Sequence, residues 1–403
     1  MRSLLGSGWR LVVLAASGLA WLGATGCSPS IEKLWEFPTT SALYSTPLVL
    51  DDLIAFGSES GTLHAVDKKG KSRWEYAAPS AEIFAHPISD GKRIYFGATN
   101  QSFYAVSFNG QLKWQFSADE RIKSDATLSE GVIYMTSYDG HIYALDAETG
   151  KLQWQFPAEP EEAEPEEKEG EAAAEEGDEA GAGDAEATGG DDDAAEQRAE
   201  PEVEPKAFSY AAPAVKDGVL YVGNLDGYMY AIHTADGSLK WRYQTGGGIT
   251  SSALVVDGTV YFGSKDDKVY AIDAATGTEL KWQFQSGGDV LSSPKIKDGV
   301  LWVGSNDHKF YALDAATGEE KCHFLTQGEV VSYGVFYKNL VFFGGGQGDA
   351  SVYALDRANC KQFFRYKTGY KIESDPALDG DRLYVTSGDH KLYAFKINKT
   401  GKE

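Results

Sequence analysis

Basic residues and cysteines are both scarce in this chain. Its 403 residues hold 37 Lys and Arg against 60 Asp and Glu, a formal net charge of −23. A phosphate partner needs a basic face from which to release counterions, so a nucleic-acid binder is excluded. An anionic lipid surface is a poor match for the same reason. Of the three cysteines, Cys27, Cys322 and Cys360, no two are adjacent. No Cys-x-x-Cys or His-x-x-x-His spacing occurs among the cysteines and seven histidines, which removes the commonest linear metal signatures. The apolar run Leu11–Leu22 is too short to span a bilayer as a helix, which needs about 20 residues. Long helical periodicity is missing from the rest of the chain.

The negative charge is concentrated. Residues 157–206 carry 21 acidic and three basic residues (Lys168, Arg198, Lys206), a net of −18, with no aromatic residue and a single Val. The first 26 residues carry +2, which leaves −7 on everything else. A segment so acidic and so poor in apolar side chains cannot bury enough surface to fold, and we expect residues 157–206 to be a disordered insertion. It serves either as an inert solvated loop or as an electrostatic gate that repels acidic ligands and attracts a basic partner or divalent cations. With 42% hydrophobic and 12% aromatic residues overall, the remainder has ample material for a core.

That remainder is repetitive. One pattern occurs eight times: an opening near Ser-x-Pro, a β-rich run ending in Gly, a hairpin turn, a Tyr-Ala-φ-Asp strand, a Gly turn, and a Trp-x-aromatic strand. The third-strand anchors are His64, Tyr104, Tyr143, Tyr230, Tyr270, Tyr311, Tyr353 and Tyr393, spaced by 40, 39, 87, 40, 41, 42 and 40 residues. The long interval is one period plus the acidic segment. A period of about 41 residues is that of a four-stranded propeller blade. The expected fold is therefore all-β, an eight-bladed propeller of four-stranded antiparallel blades. The eighth copy ends without its own Trp strand, while Leu34-Trp35-Glu36-Phe37 supplies one at the other end of the chain. The N-terminal strand should complete the last blade and close the ring, leaving no sheet edge open.

The N-terminus reads as an address. Arg2 and Arg10 precede the apolar run, and small residues lead to Cys27, as in an export signal. Ala24-Thr25-Gly26-Cys27 resembles a bacterial lipobox, with Ala24 where Leu is usual. That resemblance implies cleavage before Cys27 and lipidation of its thiol, and Ser28 after it implies sorting to the outer membrane. The plain alternative is a secretory signal with an incidental cysteine. The expected organisation is a signal peptide 1–26, blades 1–3 with the N-terminal strand in 27–156, the insertion 157–206, and blades 4–8 in 207–403.

The segment Ala144-Leu145-Asp146-Ala147-Glu148-Thr149-Gly150-Lys151-Leu152-Gln153-Trp154 carries Ala-x-Asp-x-x-Thr-Gly-x-x-x-Trp, and a near copy runs from Ala271 to Trp282. It resembles the tryptophan-docking motif of the pyrroloquinoline-quinone propeller superfamily, over residues 31–156 and 207–403. The resemblance implies that Trp35, Trp74, Trp114, Trp154, Trp241 and Trp282 each dock on their own blade's Ala and on the Thr-Gly peptide of the next blade. Two departures then meet: Cys322 stands at the Trp position of blade 6 and Cys360 at the Gly position of blade 7. The docking geometry would bring them together as a Cys322–Cys360 disulfide, which an exported compartment permits.

Catalytic chemistry is hard to find. Quinoprotein dehydrogenases of this superfamily use a bound quinone and usually Ca²⁺, and many have a ring closed by adjacent cysteines. This chain lacks the cysteine pair and the long inserted loops that build such a pocket. Asp67, Asp146, Asp273, Asp314 and Asp356 recur with the repeat, which marks them as turn residues rather than general acids or bases. We expect no enzyme, no cofactor and no metal site.

The loops from strand four to strand one vary far more than the strands do. They hold Glu82, Phe84, Arg121, Lys123, Asp289, Glu329, Lys371 and Glu373, and their apolar residues beside charges suit a protein contact. An exported, lipid-anchored propeller of eight docking-motif blades resembles the lipoprotein subunits of the outer-membrane β-barrel assembly machinery. That implies a monomeric, non-catalytic, periplasm-facing scaffold binding the central barrel subunit through one face. The other readings are a quinone-dependent dehydrogenase and a cell-envelope binding propeller.

Overall fold

The computed structural model describes residues 30–157 and 211–398. The expected signal peptide 1–26, Cys27 and, Pro157 apart, the acidic segment 157–206 lie outside the described residues.

Eight four-stranded antiparallel sheets form the blades, and in seven of them the strands follow chain order. In the eighth, Ala377–Asp379, Arg382–Ser387 and Lys391–Ile397 are joined by the N-terminal strand Ile31–Pro38. Its register runs from Ile31 opposite Ile397 to Pro38 opposite Lys391, so the two ends of the chain close the ring. In blade 4 the second strand, Val219–Gly223, is buried at every position, and so is most of the third, Tyr228–His233. Each blade lies between two others, so both faces of these strands are covered and apolar residues run on without alternation. Fourth strands such as Ser72–Ala77 form the outer rim and alternate between half-buried and exposed.

Neighbouring blades are joined by a repeated contact. The fourth-strand residue paired with the third-strand Ala is Trp74 opposite Ala65, Trp114 opposite Ala105, Trp154 opposite Ala144, Trp241 opposite Ala231, Trp282 opposite Ala271, and Trp35 opposite Ala394. Each indole N–H donates to a turn carbonyl of the next blade: Trp74 to Phe108 at 2.7 Å, Trp154 to Thr234 at 2.9 Å, Trp241 to Ala274 at 3.1 Å. Trp35 does the same across the closure, to Lys68 at 3.2 Å.

The next blade's turn must let the ring in. Gly277 has φ +68°, and a Cβ there would lie 2.2 Å from Cδ2 of Trp241, so the site requires glycine twice over. Gly258 has the same φ but open space around it. Gly258→Ala should therefore cost about 1 kcal/mol, the backbone penalty alone. Gly277→Ala should cost about 2 kcal/mol more by driving the indole from its seat. Urea midpoints of the two variants check this, and equal losses would mean that the docking turn is not tightly packed.

The sixth interface departs from the pattern as the resemblance implied. Cys322, opposite Ala312, is bonded to Cys360, which has φ +55° at the glycine position. At the seventh interface Phe364 stands opposite Ala354 in place of tryptophan. The recurrent aspartates cap turns: Asp146 accepts the Thr149 N–H and hydroxyl at 2.7 Å, and Asp273 accepts the Ala275 and Thr276 N–H groups.

Candidate functional site

The loops entering each blade converge on the axis at one face, together with the hairpins between second and third strands. Six of these loops contribute a buried apolar residue: Ile83, Ile122, Ile249, Val290, Val330 and Ile372 are all at most 1% exposed. These residues plug into the glycine that ends the second strand of the preceding blade. A Cβ on Gly223 would lie 2.1 Å from Ile249. The apolar loop residues are thus internal pins, which corrects the expectation that they present a surface to a partner. Burial of a β-branched side chain there stabilises the loop more than exposure could help binding.

The hairpins add a second fastening. The Tyr270 hydroxyl donates to Oδ2 of Asp266, and the same oxygen accepts the N–H of Gly246 from the preceding loop. Tyr353 with Asp349 and Tyr393 with Asp389 repeat the arrangement, and burial pushes these phenols above their ordinary range. In blade 1 the tyrosine is His64, whose Nδ1 lies 3.0 Å from Glu75 and whose Nε2 lies 3.3 Å from the Ser58 hydroxyl. The loop face is therefore a stiff frame carrying variable side chains.

Inside the frame lies a funnel. Its mouth, about 450 Å³, is lined by Tyr44, Glu59, Phe84, Thr250, Leu291, Val331, Lys371 and Glu373. The Tyr44 and Phe84 rings stack with centroids 6.1 Å apart. The Lys123 ammonium lies 4.4 Å from the Phe84 ring, and Lys371 pairs with Glu373 at 2.7 Å while lying 5.1 Å from the Tyr44 ring. Burial pushes the Lys371 ammonium down, but its hydrogen bond to Glu373 raises it on balance. Of the expected partner residues, Phe84, Lys123, Lys371 and Glu373 come together here. Glu82, Arg121, Asp289 and Glu329 lie on the same face but outside the mouth. Arg121 stacks on Tyr138 at 4.5 Å, and burial with Asp267 nearby raises the Asp289 carboxyl.

Below the mouth is a chamber of about 140 Å³, reached by Thr46, Asp125, Ser252, Ser293, Tyr333 and Asp375. These are the middle residues of the Ser-x-Pro openings, one per blade, and the repeat's own offset from the variable loops would have found them. They fasten the blades around the axis: His86 N–H to Asp125 at 2.5 Å, Ser252 N–H to Ser293 at 2.9 Å, Tyr333 N–H to Asp375 at 2.7 Å, and Asp375 N–H to Thr46 at 2.9 Å. The two aspartates are enclosed by the ring and meet only the bore. Burial is the main reason the Asp375 carboxyl is pushed up to about 8, and Asp125 across the bore adds to it. Burial also raises Asp125 and lowers the Lys295 ammonium, which both carboxylates oppose.

The sign of the pH effect follows. Asp375 holds its proton more tightly in the folded ring than in the unfolded chain, where 3.8 is ordinary. Its contribution is complete below about pH 4 and is lost as pH rises toward 8. Asp375→Asn, which keeps an acceptor for the Tyr333 N–H, should gain on the wild type by a few kcal/mol, on the order of the shift, between pH 4 and 8. Above pH 8 the difference should be flat. Urea midpoints at pH 5, 7 and 9 read it out, and a gap that ignores pH would contradict it.

A larger cavity, about 910 Å³, lies on the opposite face beneath blades 1 and 2, against Leu50, Arg73, Trp74 and Phe108. It is an open trough whose rim also carries Asp51, Asp52 and Asn109. Among the described residues no three of His, Cys, Asp and Glu are placed to hold a metal. A carboxylate-bearing quinone does not fit the axial site either. It would meet three carboxylates, Asp125, Asp375 and Glu373, against a single ammonium among the residues lining the chamber, Lys123.

The family model described as outer membrane protein assembly factor BamB matches residues 28–119, 61–203, 245–335 and 326–403. Among solved structures, BamB from Moraxella catarrhalis matches with a TM-score of 0.69 and 16% identity, covering 91% of this chain and 100% of that one. The computationally designed Ika8 protein matches with a TM-score of 0.70 and 15% identity, covering 91% and 99%. Quinohemoprotein alcohol dehydrogenase from Comamonas testosteroni matches with a TM-score of 0.70 and 13% identity, covering 92% and 77%. At these identities the structural likenesses speak for the fold alone. Among curated proteins, none matches the chain.

Proposed function

Because the chain belongs to the family of outer membrane protein assembly factor BamB, we propose that it is a non-catalytic scaffold in outer-membrane β-barrel assembly. Its propeller is held at the outer membrane by a lipid on Cys27, faces the periplasm, and binds the central barrel subunit as a monomer through the loop face. The observation that carries this reading is the loop face itself. Its backbone is pinned by Ile83, Ile249, Ile372 and their counterparts, while Phe84, Lys123, Lys371 and Glu373 gather at the funnel mouth. A preformed frame with variable, solvent-facing side chains lowers the ordering cost of binding a protein.

Affinity purification from detergent-solubilised envelopes tests the proposal. The central barrel subunit should be recovered with the wild-type chain, and its absence at low salt would overturn the reading. The alternative reading is an oxidation like that of the quinohemoprotein alcohol dehydrogenase whose fold this chain shares. Dye-linked turnover of alcohols or sugars after adding quinone and Ca²⁺ to the purified protein would support that reading against the scaffold.

A further inference from the structure

We propose that the axial funnel is a receptor for one basic side chain, a lysine or arginine projecting from the protein partner, whose cationic head sits between Asp125 and Asp375. Its aliphatic stem lies against Tyr44, Phe84, Leu291 and Val331 at the mouth. The inference rests on the scaffold reading and gives the partner a chemistry.

Charge complementarity carries it. The funnel holds four carboxylates, Asp125 and Asp375 on blades 3 and 8 in the bore with Glu373 and Glu59 above them, against three ammoniums, Lys295 on blade 6, Lys123 and Lys371. Lys295 lies over the Tyr333 ring, 4.1 Å from its centroid, and among the described residues it makes no ion pair. Among the described residues the two bore carboxylates receive only backbone and hydroxyl donors: the His86 N–H on Asp125, and the Tyr333 N–H with the Thr46 hydroxyl on Asp375. His86 turns its Nδ1 to the Thr46 carbonyl at 2.8 Å rather than to either carboxylate. With every group ionised the funnel is thus one positive charge short, and Asp375 meets the shortfall by keeping its proton up to about pH 8. Enclosed carboxylates without a counterion are costly, and a cation that enters from solvent relieves that cost.

A second observation points the same way. The Tyr333 hydroxyl faces the chamber with no hydrogen-bond partner among the described residues, which leaves an acceptor for the N–H groups of an ammonium or guanidinium. The mouth suits the stem. A lysine or arginine buries its methylenes against apolar walls while its head seeks charge, and the stacked Tyr44 and Phe84 rings with Leu291 and Val331 provide such walls. An anionic side chain would instead face Asp125, Asp375, Glu59 and Glu373.

The test uses n-butylammonium and n-propylguanidinium as probes on the purified full-length protein, by calorimetry at pH 7 in buffers of different ionisation heat. Millimolar binding accompanied by proton release is expected, because the cation ionises Asp375. Asp125→Asn and Asp375→Asn should each weaken binding about tenfold, and Tyr333→Phe by a smaller factor, with thermal melts showing each variant folded. No binding, equal binding by butyrate, or affinity unchanged in both Asn variants would overturn the proposal. Spermidine binding a hundredfold tighter than the probes would also overturn it, by pointing to a free polyamine. Recovery of the barrel subunit without probe binding sinks only this inference. Probe binding without that subunit sinks only the scaffold reading.

Discussion

Replacing Cys322 and Cys360 together by serine is expected to lower the stability of the ring by about 4 kcal/mol. The bond spans 38 residues, and closing a loop of that length removes about this much denatured-state entropy in the chain-entropy model. The loss comes at the one interface that has no aromatic side chain at its docking position, so nothing there substitutes for the bond. Trp302 makes the prediction sharper. It stands opposite Ala312, where blades 2, 4 and 5 have Tyr95, Tyr221 and Tyr261, and it is fully buried with the two cysteines in one cluster. Those tyrosines donate to Ala147, Ala274 and Ala315 of the next blade, whereas the Trp302 N–H has no partner among the described residues. The larger ring packs in the cluster that holds the disulfide, where blades 2, 4 and 5 have a tyrosine and a docking tryptophan instead. Installing the ordinary pair with Cys322→Trp and Cys360→Gly should therefore fail to restore stability by itself. Adding Trp302→Tyr should recover most of it. Urea unfolding of the three variants reads this out, and full recovery by the pair alone would show that Trp302 is not the compensating residue.

The second large effect concerns closure. Without Ile31–Pro38, the strand Lys391–Ile397 becomes an open edge and the Lys68–Gly70 turn loses the Trp35 ring. The Glu36 bridges to Lys33 and Lys391 disappear as well, although at a surface such pairs contribute little. A chain starting at residue 40 should give no cooperative monomer and should aggregate through the edge. Trp35→Ala alone should cost about 3 kcal/mol, since the residue is only half-buried. Appending residues 31–38 through a flexible linker after residue 403 should restore a monomeric ring, because only antiparallel register with Lys391–Ile397 is needed. Size-exclusion chromatography and thermal melts of the two chains decide it. A truncated chain that stays monomeric with an unchanged melt would show that the ring does not depend on this strand.

Much of this architecture was legible because it repeats. Eight anchors at nearly constant spacing define blades without knowledge of any contact, and Trp35, one period before Trp74, marks the closing strand. The Cys322–Cys360 bond was legible for a narrower reason: two departures from one motif fall on positions that the motif brings together. Phe364 and Trp302 escaped because each is an ordinary apolar residue in an ordinary strand, and only three-dimensional neighbours show what volume it fills. The loops were misread at Ile83, Ile122, Val290, Val330 and Ile372. In a linear view an apolar residue beside charges looks exposed, and only the glycine ending the preceding blade's second strand shows that it is a pin. The axial residues Asp125, Lys295, Tyr333 and Asp375 come from four blades, up to 250 residues apart in the chain. Their charge balance exists only once the ring is closed.

Photo-crosslinking in intact cells puts the central claim to the most direct test. A photoreactive phenylalanine analogue at position 84 or 370 lies on the loop face, and one at position 108 lies on the opposite face, where Phe108 is 39% exposed. The scaffold account predicts adducts with the central barrel subunit from positions 84 and 370 and none from 108. Adducts from 108 alone, or none to that subunit from any of the three, would contradict it.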